Sequence, residues 1–205
     1  MILNATQTEL LQAFAPDIFL EISINEIAQR LKKHYRVVRV NLNTLVKGSI
    51  LKSRPVAGAR LISLNLMNPV TGSVMTHVEE SMGNEHLFHA LPQAQNLITS
   101  ARELGPFFCL GMFGSYAKNT QKKGSDIDLF LICPKEQVKT YQNLINQFPA
   151  IQDRIDWNVF SDEEFRKGLK AKGTLVYKEI AKNKLLLSGG AIFYNIIEEA
   201  GTIED

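Results

Sequence analysis

The apolar positions of the first 66 residues predict three helices followed by a β-hairpin. Apolar residues recur at helical spacing in three segments, which are 6–15, 24–31 and 36–47. Ser23 precedes the second helix, and Glu26 is expected to complete a capping box by bonding back to the Ser23 backbone. Gly48 ends the third helix, and two extended runs around the turn residues 55–58 then predict the hairpin.

The third predicted helix has one apolar face and one polar, mostly cationic face. Val38, Leu42 and Leu45 recur at helical spacing, so we expect them to pack inward. The residues expected on the outer face are Arg36, Arg39, Asn43 and Lys47. The hairpin adds three further cations, which are Lys52, Arg54 and Arg60. Three helices followed by a basic hairpin resemble a winged helix-turn-helix, which implies that these seven residues contact double-stranded DNA.

The charge of the chain is divided unevenly, although the net charge is only +2. Residues 1–66 contain nine Lys or Arg and four Asp or Glu, which gives +5. Residues 67–205 contain 14 basic and 17 acidic residues, which gives −3. The basic segment is either a solvated surface or a binding surface for an anionic polymer, and small three-helix units also serve protein–protein contacts.

The composition is that of a globular protein, with 45% hydrophobic and 21% charged residues. Two cysteines, Cys109 and Cys133, are too few for a disulfide framework. The first twenty residues contain no Lys or Arg, unlike a signal peptide, and no apolar run is long enough to cross a bilayer. We therefore expect a cytoplasmic protein without a membrane segment.

Downstream of the hairpin, the sequence predicts a linker followed by alternating helices and strands. Residues 67–84 are rich in Gly, Ser, Thr and Pro, and predict a linker or an edge hairpin. A helix is then expected up to Leu104, with a break at Pro92. His86 and His89 on this helix are interpreted as exposed residues and not as metal ligands. Later apolar runs predict strands over 106–113, 125–132 and 154–160.

Acidic residues interrupt two of these apolar strands. Asp126 and Asp128 are two residues apart, so they project from the same face of one strand. Carboxylates this close repel each other, and Mg²⁺ would relieve the repulsion, although exposed acids at a strand end are the alternative. Asp156 on the next strand either faces solvent or completes a three-carboxylate cluster with them.

A glycine–serine turn precedes the acids. Gly114 permits a sharp turn from strand to helix, and Ser115 places a hydroxyl and backbone N–H groups where an anion could bind. Gly114-Ser115, ten residues, and then Asp126-x-Asp128 resemble the G-S-x10-D-x-D motif of the DNA polymerase β-type nucleotidyltransferase superfamily.

The surrounding residues follow the pattern of this family in part. Ala117, Ser125 and Leu129 fit its usual motif. Lys118 stands where the family usually has Arg, which keeps the charge but loses the bidentate fork. Asn119 stands where the family usually has Gly, and Asn tolerates a left-handed backbone better than most residues.

The resemblance implies an enzyme of the α/β (α+β) class, whose small mixed sheet is flanked by helices. It would transfer a nucleoside monophosphate from a nucleoside triphosphate, expected to be ATP, to a hydroxyl of a protein, an RNA or a small molecule. The carboxylates that would hold two Mg²⁺ ions and carry out catalysis are Asp126, Asp128 and Asp156. The residues that would bind the nucleotide are Gly114, Ser115, Lys118 and Ser125.

The expected organisation is a DNA-binding domain (1–66), a linker or edge hairpin (67–84) and a nucleotidyltransferase domain (85–205). Minimal members of the resembled family often act as antitoxins that modify a partner toxin, so a protein acceptor of that kind is one expectation. By analogy with other winged-helix proteins, we expect a homodimer. The alternative is a DNA-binding transcriptional regulator whose nucleotidyltransferase domain senses nucleotide without catalysis.

Overall fold

The chain begins with a unit of three helices and three short strands. The computed structural model describes residues 2–56, 58–92, 94–148, 154–171 and 175–200. The first elements are α1 (Ala5–Gln12), β1 (Ile22–Ser23), α2 (Ile24–Arg30), α3 (Tyr35–Lys47), β2 (Leu51–Val56) and β3 (Ala59–Leu64). The strands form an antiparallel sheet in the order β1–β3–β2. The three predicted helices and the hairpin are confirmed as elements.

Local capping explains where these helices begin and end. Ser23 Oγ accepts the backbone N–H of Glu26 at 3.2 Å, as an N-cap residue should. The second half of the predicted capping box is wrong, because the Glu26 carboxylate accepts from Arg30 at 2.7 Å instead. The first helix ends at Gln12 and not at residue 15, because Phe14 and Ala15 donate their N–H groups to carbonyls three residues back, which closes the helix with tight turns.

The segment predicted as a linker belongs to a helix of 22 residues, α4 (Pro69–Ala90). Asn68 caps its N-terminus. The glycines of α4 permit close packing, since a Cβ on Gly83 would lie 2.2 Å from the Leu186 carbonyl oxygen. The prediction of a linker or edge hairpin over 67–84 is therefore wrong as local structure, because tertiary packing outweighs the low helix propensity of Gly, Ser and Thr.

The second half of the chain contains a mixed four-stranded sheet flanked by helices. Its elements are α5 (Ala94–Leu104), β4 (Cys109–Phe113), α6 (Gly114–Ala117), β5 (Ile127–Cys133), α7 (Val138–Asn146), β6 (Ile155–Ser161), α8 (Asp162–Lys170), α9 (Leu175–Lys182), β7 (Lys184–Ser188) and α10 (Gly190–Ala200). The strand order is β6–β5–β4–β7, with β5 and β6 parallel and the other neighbours antiparallel. This confirms the predicted fold class, and the predicted break at Pro92 separates α4 from α5.

One apolar core extends through both parts of the molecule. Buried apolar residues from Leu10 to Ile197 form a single cluster. Helix α4 joins the two parts, since it packs against α1, β7 and α10, and Thr71 Oγ1 donates to the Ile50 carbonyl at 3.2 Å. Within the described ranges, every helix is too short or too polar to cross a bilayer.

Candidate functional site

The turn between β4 and α6 is built around Gly114. Its φ of +68° lies in the left-handed region, where a glycine has no steric penalty. A Cβ at this position would lie 2.2 Å from Asp128 Oδ2. Only a glycine therefore allows the Asp128 carboxylate to lie directly against this turn.

The sheet register aligns two of the predicted acids. Phe113, the last residue of β4, pairs with Asp128 in the antiparallel ladder of β4 and β5. Asp128 in turn pairs with Asp156 in the parallel ladder of β5 and β6. Paired residues of neighbouring strands project from the same face, with strands about 4.8 Å apart. The structure therefore brings Asp128 and Asp156 side by side next to the Gly114 turn.

The charges around Asp128 disfavour its ionised form. Burial raises the pKa of Asp128, and the nearby carboxylates of Asp156 and then Asp126 raise it further. Glu179 on α9 adds a smaller effect of the same sign. A cation bound among these groups would relieve the repulsion that raises this pKa.

Carboxylate oxygens in this arrangement fit a hard divalent cation. Mg²⁺ is usually held by one or two carboxylates together with water and substrate phosphates, and Asp128 and Asp156 lie side by side where they could supply two such carboxylates. Among the residues that the structure describes, no three His, Cys, Asp or Glu side chains form a possible metal-ligand group on their own. The three-carboxylate cluster that includes Asp126 stays a prediction, and a substrate phosphate would complete the oxygen ligands.

The residues that follow the glycine turn have well-defined contacts. Asn119 has a φ of +56°, which confirms that it takes the left-handed backbone conformation in place of glycine. Lys118 Nζ lies 2.5 Å from Glu179 Oε1, so its charge is neutralised by a carboxylate of α9. Ser125 Oγ accepts the Lys122 N–H at 3.0 Å and thereby closes the loop before β5.

The part of the chain that contains this site matches a known protein family. Residues 107–189 match the family model described as Polymerase beta, Nucleotidyltransferase. This segment is a nucleotidyltransferase-type domain. It contains the glycine–serine turn and all three predicted acids, because its bounds enclose positions 114 to 156. The chain matches no curated protein.

Two solved structures show a distant likeness to about half of this chain. One is a candidate nucleotidyltransferase from Sulfolobus solfataricus, with 21% identity, a TM-score of 0.34 and coverage of 50% of this chain and 82% of that chain. The other is a toxin–antitoxin structure with AMP-PNP, with 17% identity, a TM-score of 0.33 and coverage of 52% of this chain and 84% of that chain. Because both TM-scores are low, neither likeness bears on function.

The seven predicted DNA-contacting residues do not all lie on one surface. On α3, Arg36, Arg39 and Lys47 are exposed, opposite the buried Val38, Leu42 and Leu45. Asn43 is partly exposed and its Oδ1 accepts from Arg60 at 2.7 Å, which places Arg60 beside this outer face of α3.

The other two hairpin cations lie on the opposite face of the small sheet. Arg54 pairs with Leu61 and Arg60 with Pro55, so their side chains alternate between faces. Lys52 shares the face of Arg54. Glu21 accepts two hydrogen bonds from the Arg54 guanidinium, which lowers the pKa of Glu21 and neutralises the cation.

A buried charged network that the sequence did not reveal supports the edge of the nucleotidyltransferase domain. Lys184 on β7 and Glu79 on α4 are both fully buried, with Nζ 2.6 Å from Oε1. Lys184 Nζ also donates to the Ala15 carbonyl at 3.1 Å, and the Tyr194 hydroxyl donates to Glu79. Because Lys184 pairs with Phe113 in the sheet, this network lies next to the Gly114 turn. The one signal in the sequence is a lysine beginning an apolar strand.

Proposed function

We propose that the chain is a Mg²⁺-dependent nucleotidyltransferase that moves a nucleoside monophosphate from a nucleoside triphosphate to a hydroxyl acceptor. One observation carries this proposal: Asp128 and Asp156 are paired in register beside the turn at Gly114, within the segment that matches the family model. An oxygen-rich site next to a compact backbone turn suits a divalent cation and the phosphates that it binds.

The residues of the site have distinct parts in the proposed reaction. The acceptor oxygen forms a bond to the α-phosphorus while the bond from that phosphorus to the β-phosphate oxygen breaks, and pyrophosphate leaves with the electron pair. Asp156, which is exposed at the start of β6, accepts the proton of the acceptor hydroxyl. Asp126, Asp128 and Asp156 would hold Mg²⁺, which when bound would neutralise phosphate charge and stabilise the leaving group.

The Gly114–Ser115 turn is proposed to hold the terminal phosphates. Because Gly114 has no Cβ, the Asp128 carboxylate lies directly against this turn, so a cation held by Asp128 would bring the bound phosphates close to the turn. Lys118 and Ser125 are proposed to contribute further contacts. Lys118 must leave Glu179 to reach a phosphate, which its long and flexible side chain permits.

We further propose that the N-terminal unit is a winged helix-turn-helix that binds double-stranded DNA. Three helices combined with a three-stranded antiparallel sheet support this proposal, as does the exposed row of Arg36, Arg39 and Lys47 on α3. Arg60 extends that row from the hairpin. The cations Lys52 and Arg54 would contact DNA from the other face of the hairpin.

A second candidate function is favoured by the Lys118–Glu179 ion pair. With its cation neutralised, the site has weaker attraction for a triphosphate in the productive position. The chain would then be a DNA-binding regulator that senses a nucleotide without turning it over.

Label transfer separates the two candidates. The full chain is incubated with α-labelled ATP and Mg²⁺, with and without cell lysate, beside Asp156→Asn and the exposed control Glu103→Gln. The enzyme proposal expects labelled product from wild type and Glu103→Gln, reduced roughly a hundredfold or more in Asp156→Asn. Tight nucleotide binding with no transfer by wild type under either condition would support the regulator and contradict the enzyme. The chemical nature of the labelled product identifies the acceptor as protein, RNA or small molecule.

A further inference from the structure

A cavity of about 300 Å³ lies between the last turns of α4 and the segment that follows the Gly114–Ser115 turn. Its lining side chains include Glu85, His86, His89, Tyr116, Asn119 and Gln121. Its volume is at the lower end of the range for ligand pockets, which is about 300–1,000 Å³. The cavity therefore suits one planar ring system better than a whole nucleotide.

Hydrogen bonds attach one wall of this cavity to the proposed phosphate turn. Thr120, which lies between the lining residues Asn119 and Gln121, donates its N–H to the Ser115 carbonyl at 2.9 Å. Asn119 donates its N–H to the Tyr116 carbonyl at 3.2 Å. A nucleotide whose phosphates lie at Gly114–Ser115 would thus have this cavity within reach of its other end.

The hydroxyl of Tyr116 makes two long hydrogen bonds on the side of the β5 loop. It donates to the Ser125 carbonyl and accepts from Arg154, both at 3.4 Å. The two histidines face the same cavity from α4, one helical turn apart. Both histidines are exposed and Tyr116 is half-buried, so three ring side chains from two elements line a surface cleft that is open to solvent.

The chemistry of the lining selects against phosphate and in favour of a nucleobase. Among the described residues, the lining contains no Lys or Arg, so the cavity offers no permanent positive charge to a phosphate. His and Tyr rings can stack on a planar heterocycle, and the carboxamides of Asn119 and Gln121 can hydrogen-bond to its edge. The Glu85 carboxylate accepts hydrogen bonds, which suits the exocyclic amino group of adenine, guanine or cytosine.

We propose that this cavity binds the amino-bearing base of the nucleotide substrate. The inference rests on the proposed nucleotidyltransferase function, and it assigns base recognition to the end of α4, outside the motif that binds the phosphates. His86, His89 and Tyr116 provide the stacking surface, and Glu85 selects the amino group.

Binding of ATP and of inorganic tripolyphosphate to the full chain separates base recognition from phosphate binding. Both ligands are titrated, with Mg²⁺, into wild type, the double variant His86→Ala/His89→Ala and the control His77→Ala, which removes an exposed histidine of the same helix outside the cavity. We expect the double variant to bind ATP roughly tenfold more weakly and tripolyphosphate with unchanged affinity. His77→Ala should bind both ligands like wild type.

Glu85→Gln provides an independent measurement on a second group. Wild type should bind ATP more tightly than UTP, because uracil lacks an exocyclic amino group. Glu85→Gln should reduce the difference between the affinities for ATP and UTP. Equal ATP affinity in wild type and the double variant, or an equal loss for ATP and tripolyphosphate, would overturn the base-binding inference. A wild-type chain that binds neither ligand would instead overturn the proposed function on which the inference rests.

Discussion

At the scale of single residues, Gly114 determines whether the site can form. Its left-handed backbone and its lack of a Cβ are both used, because the Asp128 carboxylate occupies the space where a side chain would begin. Gly124, in the loop before β5, also has a positive φ of +87° but has nothing within 4 Å of its missing Cβ. A comparison of alanine variants at the two glycines therefore separates the effect of backbone strain from the effect of losing the contact with Asp128.

Gly114→Ala should abolish nucleotidyl transfer, whereas Gly124→Ala should retain it. Both variants carry the penalty of a left-handed backbone, on the order of 1–2 kcal/mol in the free energy of unfolding. Only Gly114→Ala displaces the Asp128 carboxylate. Transfer of α-label and urea unfolding of both variants check this expectation, and equal activity of the two variants would contradict the role of the Gly114 contact.

The raised pKa of Asp128 predicts that this residue costs stability at neutral pH. The folded chain holds the Asp128 proton more tightly than the unfolded chain, where the pKa is about 3.9. The stabilisation from this proton is fully present below that value and is lost as the pH rises through the raised pKa. In a magnesium-free buffer, Asp128→Asn should therefore raise the melting temperature at pH 7.

The gain in melting temperature should shrink as the pH falls toward about 4, where the wild-type carboxyl also becomes neutral. Glu103→Gln, which removes an exposed acid of α5, serves as the control and should show no such gain. Nucleotidyl transfer by Asp128→Asn should be lost. If Asp128→Asn is less stable than wild type at pH 7, this would contradict the claim that burial and the neighbouring carboxylates destabilise the ionised form of Asp128.

The sequence alone was sufficient to predict the turn at Gly114 and the positions of Asp126 and Asp128 near the start of a strand, because both depend on short spacings along the chain. Asp126 lies just before β5 and Asp128 is its second residue, and Gly114 is only one turn and one loop away. The Lys118–Glu179 ion pair was beyond such reasoning, since its partners are 61 residues apart and meet only through the packing of α9. The separation of Arg54 from Arg60 likewise required the strand register.

At the scale of elements, the part of α4 that covers residues 69–84 is the main feature that the sequence pattern did not predict. The helix contains Gly72, Ser73 and Gly83, which are typical of loops, and its stability comes from contacts with distant elements. Gly72 packs against Tyr194 and Gly83 against Leu186, both more than a hundred residues away in the chain. The same small residues that suggest a linker are those that allow the helix to lie close to β7 and α10.

The Glu79–Lys184 pair should contribute strongly to the attachment of α4. Burial raises the pKa of Glu79 and lowers that of Lys184, and each group is accommodated because it bonds to the other. Lys184→Met leaves the Glu79 carboxylate without its cation and should lower the free energy of unfolding by about 3–5 kcal/mol. Arg30→Met, which breaks the exposed Glu26 pair, should cost at most about 0.5 kcal/mol.

The double variant Glu79→Gln/Lys184→Met tests whether the loss comes from the unpaired charge. Removing both charges should recover part of the stability that Lys184→Met loses, because no buried charge is then left without a partner. Urea unfolding of the full-length variants measures each value. If Lys184→Met and Arg30→Met lose the same free energy of unfolding, this would contradict the claim that the Glu79–Lys184 pair is buried where α4 packs against β7 and the segment after α1.

At the scale of the whole molecule, the basic and acidic segments of the sequence correspond to two different parts of the structure. The exposed cations of α3 lie in the N-terminal unit, whereas the coupled acids lie at one edge of the second sheet. The continuous core and α4 connect these regions, so we propose that a DNA-bound chain would carry its nucleotidyl transfer site with it. The domain division at residues 66 and 85 stays a prediction.

DNA binding should depend on salt through the outer face of α3. Arg36→Ala/Arg39→Ala/Lys47→Ala in the full chain should weaken duplex binding and make the slope of log K against log salt shallower by up to about 3. The control Lys139→Ala/Lys167→Ala/Lys170→Ala removes the same formal charge from exposed positions of the second half. Equal slopes for the two triple variants would contradict a DNA-binding role for α3.

The most direct test of the proposed chemistry compares ATP labelled at the α-phosphate with ATP labelled at the γ-phosphate. Each is incubated with the full chain, Mg²⁺ and cell lysate, and with Asp128→Asn under the same conditions. A nucleotidyltransferase transfers the α-label, releases the γ-label as pyrophosphate, and loses the transfer in Asp128→Asn. Transfer of the γ-label to the acceptor, or transfer of the α-label at equal rates by wild type and Asp128→Asn, would contradict the assignment of this site.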